Sequence, residues 1–234
     1  MRSSLSASRA VTHAREGILR GINVVAALIG LLLAAPLMIL IAILVRVGSP
    51  GPVLYVQHRV GRDRRGNSGP EDRGEPSRGR EGSERRSQDV GGRPFRIYKF
   101  RTMRPTPQDG EAWAGDHEHR ITPLGAILRR HRLDELPQLF NVLKGDMNLV
   151  GPRPEQPGIF RKLREAVPGY PKRQAVRPGI TGWAQIHLRY DHDLDDVRRK
   201  VDYDLEYIRG RSISRELLIL WKTVPVMLFG RGAR

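Results

Sequence analysis

Residues 21–45 read GINVVAALIGLLLAAPLMILIAILV and contain no charged side chain. At about 1.5 Å of rise per residue, a helix of this length matches a hydrocarbon core of roughly 30 Å. The run is too long for a cleavable leader, and Val45-Arg46-Val47-Gly48 offers no small-residue cleavage site. Hydropathy alone fits a single spanning anchor. Two features argue against one. Pro36 lies near the middle, where it removes a backbone donor and clashes with the carbonyl of Leu32, so a kink or break is expected there. The flanks are basic on both sides: Arg9, Arg15 and Arg20 precede the run, and Arg46, Arg59, Arg62, Arg64 and Arg65 follow it. A spanning helix normally biases its positive charge to one face. Equal charge on both sides suits a hairpin that enters and leaves by the same face.

The 234-residue chain has room for one domain besides this segment. Its formal net charge of +16 points to a polyanionic partner: nucleic acid, an anionic leaflet or a phosphorylated substrate. There is no cysteine, which excludes disulfides, thiolate catalysis and Cys-based zinc sites. Residues 63–92 are Gly, Ser, Arg, Glu and Asp with almost nothing apolar, and read as a disordered loop. Its acids nearly balance its arginines and no aromatic is interleaved, which argues against an RNA-binding tail.

Order resumes at Pro94–Arg101, where apolar and basic residues alternate as in a short strand. Pro123–Arg132 reads as a helix capped by Thr122. A second helix is expected from Asp134, with Leu136, Leu139, Phe140 and Leu143 on one face and Gly145 as its stop. A third runs from Leu194 to Ile208, its start rich in Asp191, Asp193, Asp195 and Asp196. Glu216–Phe229 is apolar and carries Trp221, fitting either the core or a membrane interface.

Asp134 and Glu135 are the leading candidates for chemistry. An Asp-Glu pair at a helix start is commonly only a cap in a favourable dipole. Here Arg129, Arg130, His131 and Arg132 lie just upstream, concentrating positive charge beside the acids. An aspartate so placed could attack phosphorus, or the pair could hold magnesium, which favours one or two carboxylates plus substrate phosphates. In Gly151-Pro152-Arg153-Pro154-Glu155, two prolines fix the backbone around an arginine, a sensible way to aim a guanidinium at phosphate. Arg177-Pro178-Gly179-Ile180-Thr181-Gly182-Trp183 reads as a similar rigid turn, or as a plain loop that packs Trp183. Lys99 and Arg101 are either surface charges on the strand or further phosphate ligands. His117 and His119 in a polar loop make a weak metal site. No glycine-rich phosphate loop ending in Lys-Ser/Thr is present.

Taken together, the segments resemble the bacterial sugar transferase family, the monotopic polyprenyl-phosphate phosphoglycosyl transferases. The matching text is Gln57–Gly61, Tyr98–Met103, Arg120–Gly125, Arg132–Leu139, Asn141–Met147, Leu149–Glu155 and Arg177–Gln185, in order, over most of the chain from Gly21 onward. The resemblance implies an α+β, mostly helical protein. It would comprise a basic segment (1–20), a re-entrant helix-break-helix membrane hairpin (21–47) broken at Pro36, and a small catalytic domain (48–62 and 93–234) with amphipathic interfacial helices. The loop 63–92 would be an insertion.

The implied reaction moves a sugar 1-phosphate from a nucleoside diphosphate sugar, usually a UDP-sugar, to undecaprenyl or another polyprenyl phosphate, releasing UMP. Asp134 would form a covalent phosphosugar intermediate, with Glu135 as its proton or metal partner and Mg2+ on the diphosphate. Lys99, Arg101, Arg129, Arg153, Arg177 and Asp204 would serve substrate binding. The setting would be the cytoplasmic face of a bacterial inner membrane, in exopolysaccharide or lipopolysaccharide assembly. Downstream glycosyltransferases and a homodimer are further candidate partners, and nucleic acid is not expected. Three departures stand out: the break is Ala35-Pro36 where relatives often have Ser-Pro, the loop 63–92 is extra, and the stretch before Arg120 is short. The chain resembles the form without several preceding spanning helices. The alternative is a membrane-anchored basic receptor or scaffold without turnover.

Overall fold

The computed structural model describes residues 2–63, 91–104, 118–188 and 193–229. The loop expected at 63–92 therefore falls mostly outside the described residues, and so does His117. The protein is α+β and mostly helical, with one long apolar N-terminal helix. That helix, α1 (Arg2–Gly48), runs without interruption through Pro36. Two helices flanking a break were expected; one helix is found. A proline costs a single backbone bond and can be carried inside a helix whose two halves are held independently, and both halves here are packed. Ala27 is fully buried against Phe95, Ile97, Leu139 and Met147, while Ile41 and Val45 are buried against Phe100 and Leu128.

Polar ties hold the same helix at both ends. Glu16 pairs with Arg62 at 2.9 Å. Arg20 donates to the carbonyls of Val142 (2.6 Å) and Leu143 (2.8 Å). At the other end Arg101 donates to the carbonyls of Pro50 (2.6 Å), Ser49 (2.7 Å) and Val45 (3.3 Å) and to the Ser49 hydroxyl (2.9 Å). The Val45 carbonyl is one that a helix C-terminus leaves without an internal partner, and Ser49 and Pro50 follow directly after the helix. Both ends of the apolar run are thus fastened to one globular unit. The outward face remains apolar, with Leu32, Leu33 and Val47 each at least 75% exposed. Each such side chain left in water forgoes about 1.5–3 kcal/mol of burial, so a continuous face of them requires an apolar surrounding.

The globular unit is assembled from two small sheets. β1 (Leu54–Val60) and β2 (Pro94–Phe100) pair antiparallel, with Tyr55 opposite Lys99, Gln57 opposite Ile97 and Arg59 opposite Phe95. Directly opposed residues share a face, so Tyr55, Gln57, Arg59 and Lys99 lie on one side of the ribbon. β3 (Asn148–Val150) and β4 (Gly179–Thr181) pair parallel. The segment 177–183 therefore contains a strand, where the sequence reading had only a turn.

Two-stranded sheets leave backbone groups unpaired at their edges, and here two asparagines cover them. Asn141 accepts from the Tyr98 amide (3.2 Å) and donates to the Arg96 carbonyl (2.6 Å), acting as a one-residue strand beside β2. Asn23, inside the apolar run of α1, accepts from the Leu149 amide (2.6 Å) beside β3 and donates back to the Leu19 carbonyl (2.7 Å).

The helices follow the sequence closely at most of their ends. α2 (Pro123–Arg130) is capped by Thr122, whose hydroxyl accepts from the Gly125 amide at 3.0 Å. α3 (Gln138–Lys144) stops at Gly145, where φ is +83°. It starts four residues later than expected: Leu133–Glu135 form a 3-10 turn, and Pro137 occupies the cap position. α4 (Pro157–Ala166) and a 3-10 segment (Tyr170–Ala175) lead to β4 and the short α5 (Trp183–His187). α6 (Leu194–Arg209) begins at Asp193, which accepts from the Asp196 amide at 2.8 Å, as the acidic start implies. In α7 (Ile213–Phe229), Ile219 is fully buried while Trp221 is 76% exposed, so this helix is partly core and partly an outward apolar surface.

Asn141→Ala would leave the Tyr98 amide and the Arg96 carbonyl, both in part-buried bonds, without this partner. It is expected to destabilise the protein by about 2–4 kcal/mol, read as a lowered thermal midpoint in detergent. An unchanged midpoint would show that the edge is not held by this residue.

Candidate active site

The 3-10 turn Leu133–Glu135 follows Arg132, the one non-glycine residue with positive φ (+54°) among those described. A left-handed residue with a full side chain is costly and concentrates at functional sites. Here it reverses the chain after α2, and the Glu135 amide closes the turn on the Arg132 carbonyl at 3.1 Å. Asp134 is therefore not a helix cap. Both acids are turned inward and buried, at 7% and 6% exposure.

Around them stand cations from three elements. Lys99 of β2 lies 2.7 Å from Glu135 Oε1 and 3.7 Å from Asp134 Oδ2. Arg153, in the loop after β3, donates from Nη2 to the same Glu135 oxygen at 2.8 Å. Arg129 of α2 donates to the Thr102 hydroxyl at 3.2 Å and bears on Asp134 electrostatically. The second carboxylate oxygen, Glu135 Oε2, is buried and accepts no hydrogen bond among the described residues. An orphaned buried carboxylate oxygen is expensive and fits a cation or a proton brought in with substrate.

The two acids divide electrostatically. Burial pushes Asp134 above the usual carboxylate range, Lys99 opposes this, and the neighbouring charge of Glu135 adds to it. Burial acts on Glu135 in the same direction, but Arg153 and Lys99 outweigh it and hold the carboxyl well below its ordinary value. The difference follows from distance: Lys99 bonds Glu135 and only approaches Asp134. Glu135 is thus the ionised anchor. Asp134 is the acid whose charge is less fully compensated.

The remaining candidates lie elsewhere. Arg101 is 6% exposed and spends its donors on Val45, Ser49 and Pro50, so it clamps the end of α1 and does not face the acid pair. Asp204, 1% exposed on α6, pairs with Arg173 at 2.6 Å and has no surface to offer a substrate. Arg177 donates to the Gly145 carbonyl at 3.1 Å, at the end of α3, and makes no bond to the acid pair that the structure records. Lys99, Arg129 and Arg153 are gathered at Asp134 and Glu135; Arg101, Arg177 and Asp204 are not.

Sequence reasoning missed several charged residues behind the site. Arg59 donates to the Pro154 carbonyl (3.2 Å) and to Gln57 (2.7 Å). Its signal was alternation in β1, which sets it on the face of Lys99. Glu155 pairs with Lys200 at 2.7 Å and lies 4.0 Å from Arg173. Arg173 had no local signal, because its partners are distant in sequence.

A buried carboxylate pair ringed by cations defines an anion-handling site, one suited to phosphate esters. The chain belongs to the bacterial sugar transferase family: the family model matches residues 14–67 and 82–230, leaving 68–81 unmatched. It is 42% identical over 218 residues to the UDP-N-acetylgalactosamine-undecaprenyl-phosphate N-acetylgalactosaminephosphotransferase of Aeromonas hydrophila, covering 93% of this chain and 45% of that one. It is 37% identical over 208 residues to the UDP-glucose:undecaprenyl-phosphate glucose-1-phosphate transferase of Escherichia coli K12, covering 88% and 39%. It is 36% identical over 212 residues to the exopolysaccharide production protein PSS of Rhizobium leguminosarum, covering 88% and 92%. The chain spans less than half the length of the first two relatives.

One pH dependence follows from this site's support. Burial acts to raise the Glu155 pKa, but Lys200 and Arg173 outweigh it and bring it from 4.5 to about 2. A depressed carboxyl stabilises the fold above its unfolded pKa and loses that contribution as pH falls through the folded one, here from about 4.5 toward 2. The contribution is on the order of 3 kcal/mol. Glu155→Gln cannot titrate, so its stability should fall less steeply than the wild type's over that window in denaturant melts. Parallel slopes would refute the assignment.

Proposed function

We propose that this protein transfers a sugar 1-phosphate from a UDP-sugar to undecaprenyl phosphate, releasing UMP and leaving a polyprenyl diphosphate sugar. The observation that carries the reading is the buried Asp134–Glu135 pair set against Lys99 and Arg153 on a unit fastened to an apolar helix. Named activities of the relatives support the substrate classes. Asp134 is the nucleophile: its oxygen bonds the sugar-bearing phosphorus as the bond to the bridging oxygen breaks, and the electron pair leaves with UMP. A lipid phosphate oxygen then attacks the same phosphorus and frees the carboxylate. Glu135 is held in place through one oxygen by Lys99 and Arg153, which suits it to anchoring, while Asp134 makes only the longer approach to Lys99. Arg153 and Arg129 balance charge on the diphosphate.

Magnesium fits the donor set, since two carboxylates and substrate phosphates are its usual partners. Asp134 and Glu135 Oε2 would hold it, and it would neutralise the diphosphate.

The site works at the cytoplasmic face of the bacterial inner membrane. The polar ties at both ends of the apolar run of α1 support a helix that keeps both ends on that face, with Pro36 as the point where it would bend in the bilayer. Trp221 and its apolar neighbours on α7 rest in the interface.

Purified protein in detergent, given magnesium, undecaprenyl phosphate and either UDP-glucose or UDP-N-acetylgalactosamine, should release UMP. Asp134→Asn should lower release at least about 1000-fold, as expected when a nucleophile is removed. Retention of wild-type activity in that variant would exclude the role. For topology, the native chain has no cysteine, so single cysteines at Ser8 and Ser68 can be labelled selectively. Both should react only from the cytoplasmic side, and opposite sidedness would establish a true span.

A further inference from the structure

The loop that carries Arg153 cannot hold itself. Pro152 and Pro154 have no amide hydrogen, so strand-like pairing is closed to it. It is held instead through four successive carbonyls. The Gly179 amide donates to Pro152 (3.0 Å), Arg173 Nη2 to Arg153 (3.1 Å), Arg59 Nη1 to Pro154 (3.2 Å) and the Val60 amide to Glu155 (2.9 Å). Two of the four donors are guanidinium groups from segments far apart in sequence, Arg173 buried and Arg59 half-buried.

Each guanidinium is itself fixed. Arg173 donates from Nε to Asp204 (2.6 Å) and from Nη1 to the Tyr170 hydroxyl (2.8 Å), and its Cζ lies 4.9 Å from the Tyr170 ring centre. With those directions taken, the remaining edge of the planar fork meets the Arg153 carbonyl. Arg59 is steadied by Gln57. Glu155, within the loop, is paired by Lys200 and faces Arg173. None of these groups makes a recorded bond to Asp134 or Glu135. A buried ionic network of this size is a poor way to gain stability, since apolar side chains of like volume commonly do as well or better. Its geometry serves direction: the backbone of Arg153 is pinned on its carbonyl and on both flanks, and only its side chain reaches Glu135, with 37% of that side chain exposed.

We propose that Arg173 and Arg59 are positioning residues that aim Arg153 at Glu135 and at the substrate phosphate, with Asp204 orienting Arg173. This rests on the transferase reading above. An ångström of misplacement in such a group can cost about 100-fold in rate.

The test is a double-mutant cycle on UMP release, with undecaprenyl phosphate and the UDP-sugar that the wild type turns over. Arg173→Lys keeps the charge but loses the fork. It should lower turnover at least about 10-fold when Arg153 is present, and less than about 3-fold in an Arg153→Ala background. Asp204→Asn, which keeps the side-chain shape, should show the same non-additivity and serves if Arg173→Lys does not fold. Equal losses in both backgrounds would overturn the proposal. Hydrogen exchange of the segment 148–156 gives a reading independent of turnover. Exchange should quicken in either variant, and unchanged exchange would overturn the loop-holding role. If the wild type releases no UMP from either sugar nucleotide, the transferase reading fails, and the exchange result still decides whether these residues hold the loop.

Discussion

The constraint on which the rest of the structure depends is the burial of Glu135 as an ion. A carboxylate taken out of water must be met by positive charge and hydrogen bonds at close range, or it does not stay charged. Lys99 and Arg153 meet one oxygen of this one from two separate elements. The strand β2, the turn after α2 and the loop after β3 are therefore bound to a common point. Much of the remaining architecture can be understood as keeping those three segments in register. Asn141 fastens α3, just beyond the turn, to the edge of β2. Arg132 accepts a left-handed backbone so that the turn can be tight enough. The arrangement leaves Asp134 beside a fixed negative charge and only partly compensated. That is an unfavourable place for a carboxylate at rest and a favourable one for a carboxylate that forms a bond.

How much of this was legible in the sequence depended on how local each cause was. The Thr122 cap, the Gly145 stop, the strand at Pro94–Phe100 and the acidic start of α6 are all set by residues a few positions apart, and they came out correctly. The start of α3 did not, because the apolar spacing continues smoothly across Leu136 while the backbone obeys Pro137. Among candidate site residues, charge type and motif company pointed to Lys99, Arg129 and Arg153, which the structure gathers at the acid pair, and equally to Arg101 and Asp204, which it places elsewhere. A sequence shows that an arginine can donate five hydrogen bonds, but not that Val45, Ser49 and Pro50 will accept them. Asp204 is legible as an acid on a helix face, yet its partner Arg173 lies 31 residues away. Asn23 was hidden for the opposite reason, as a single uncharged polar residue in a run whose apolarity dominated its reading.

The two asparagines illustrate a wider economy of this small fold. Two-stranded ribbons are marginal alone in water. Among the described residues each is completed by one amide side chain, without a third strand, and each amide comes from a helix that also supplies apolar packing. Asn23 stands four residues before Ala27, which fills the core beneath β2. One helix therefore supports both ribbons at once, through polar contact with β3 and apolar contact with β2.

The paired ties of Arg20 and Arg101 on the two ends of the apolar run have a kinetic meaning. With the apolar helix fixed to the ribbon that bears Lys99, the Asp134 carboxylate is held at one height relative to that helix. A lipid headgroup drifting in the plane of a bilayer would then meet the site by a two-dimensional search, needing only lateral coincidence. A soluble donor would arrive from three dimensions into a fixed mouth. For the transfer proposed above, anchorage of this kind would replace tight affinity for the lipid with confinement, and its effect would grow with the lipid's surface density rather than with its bulk concentration.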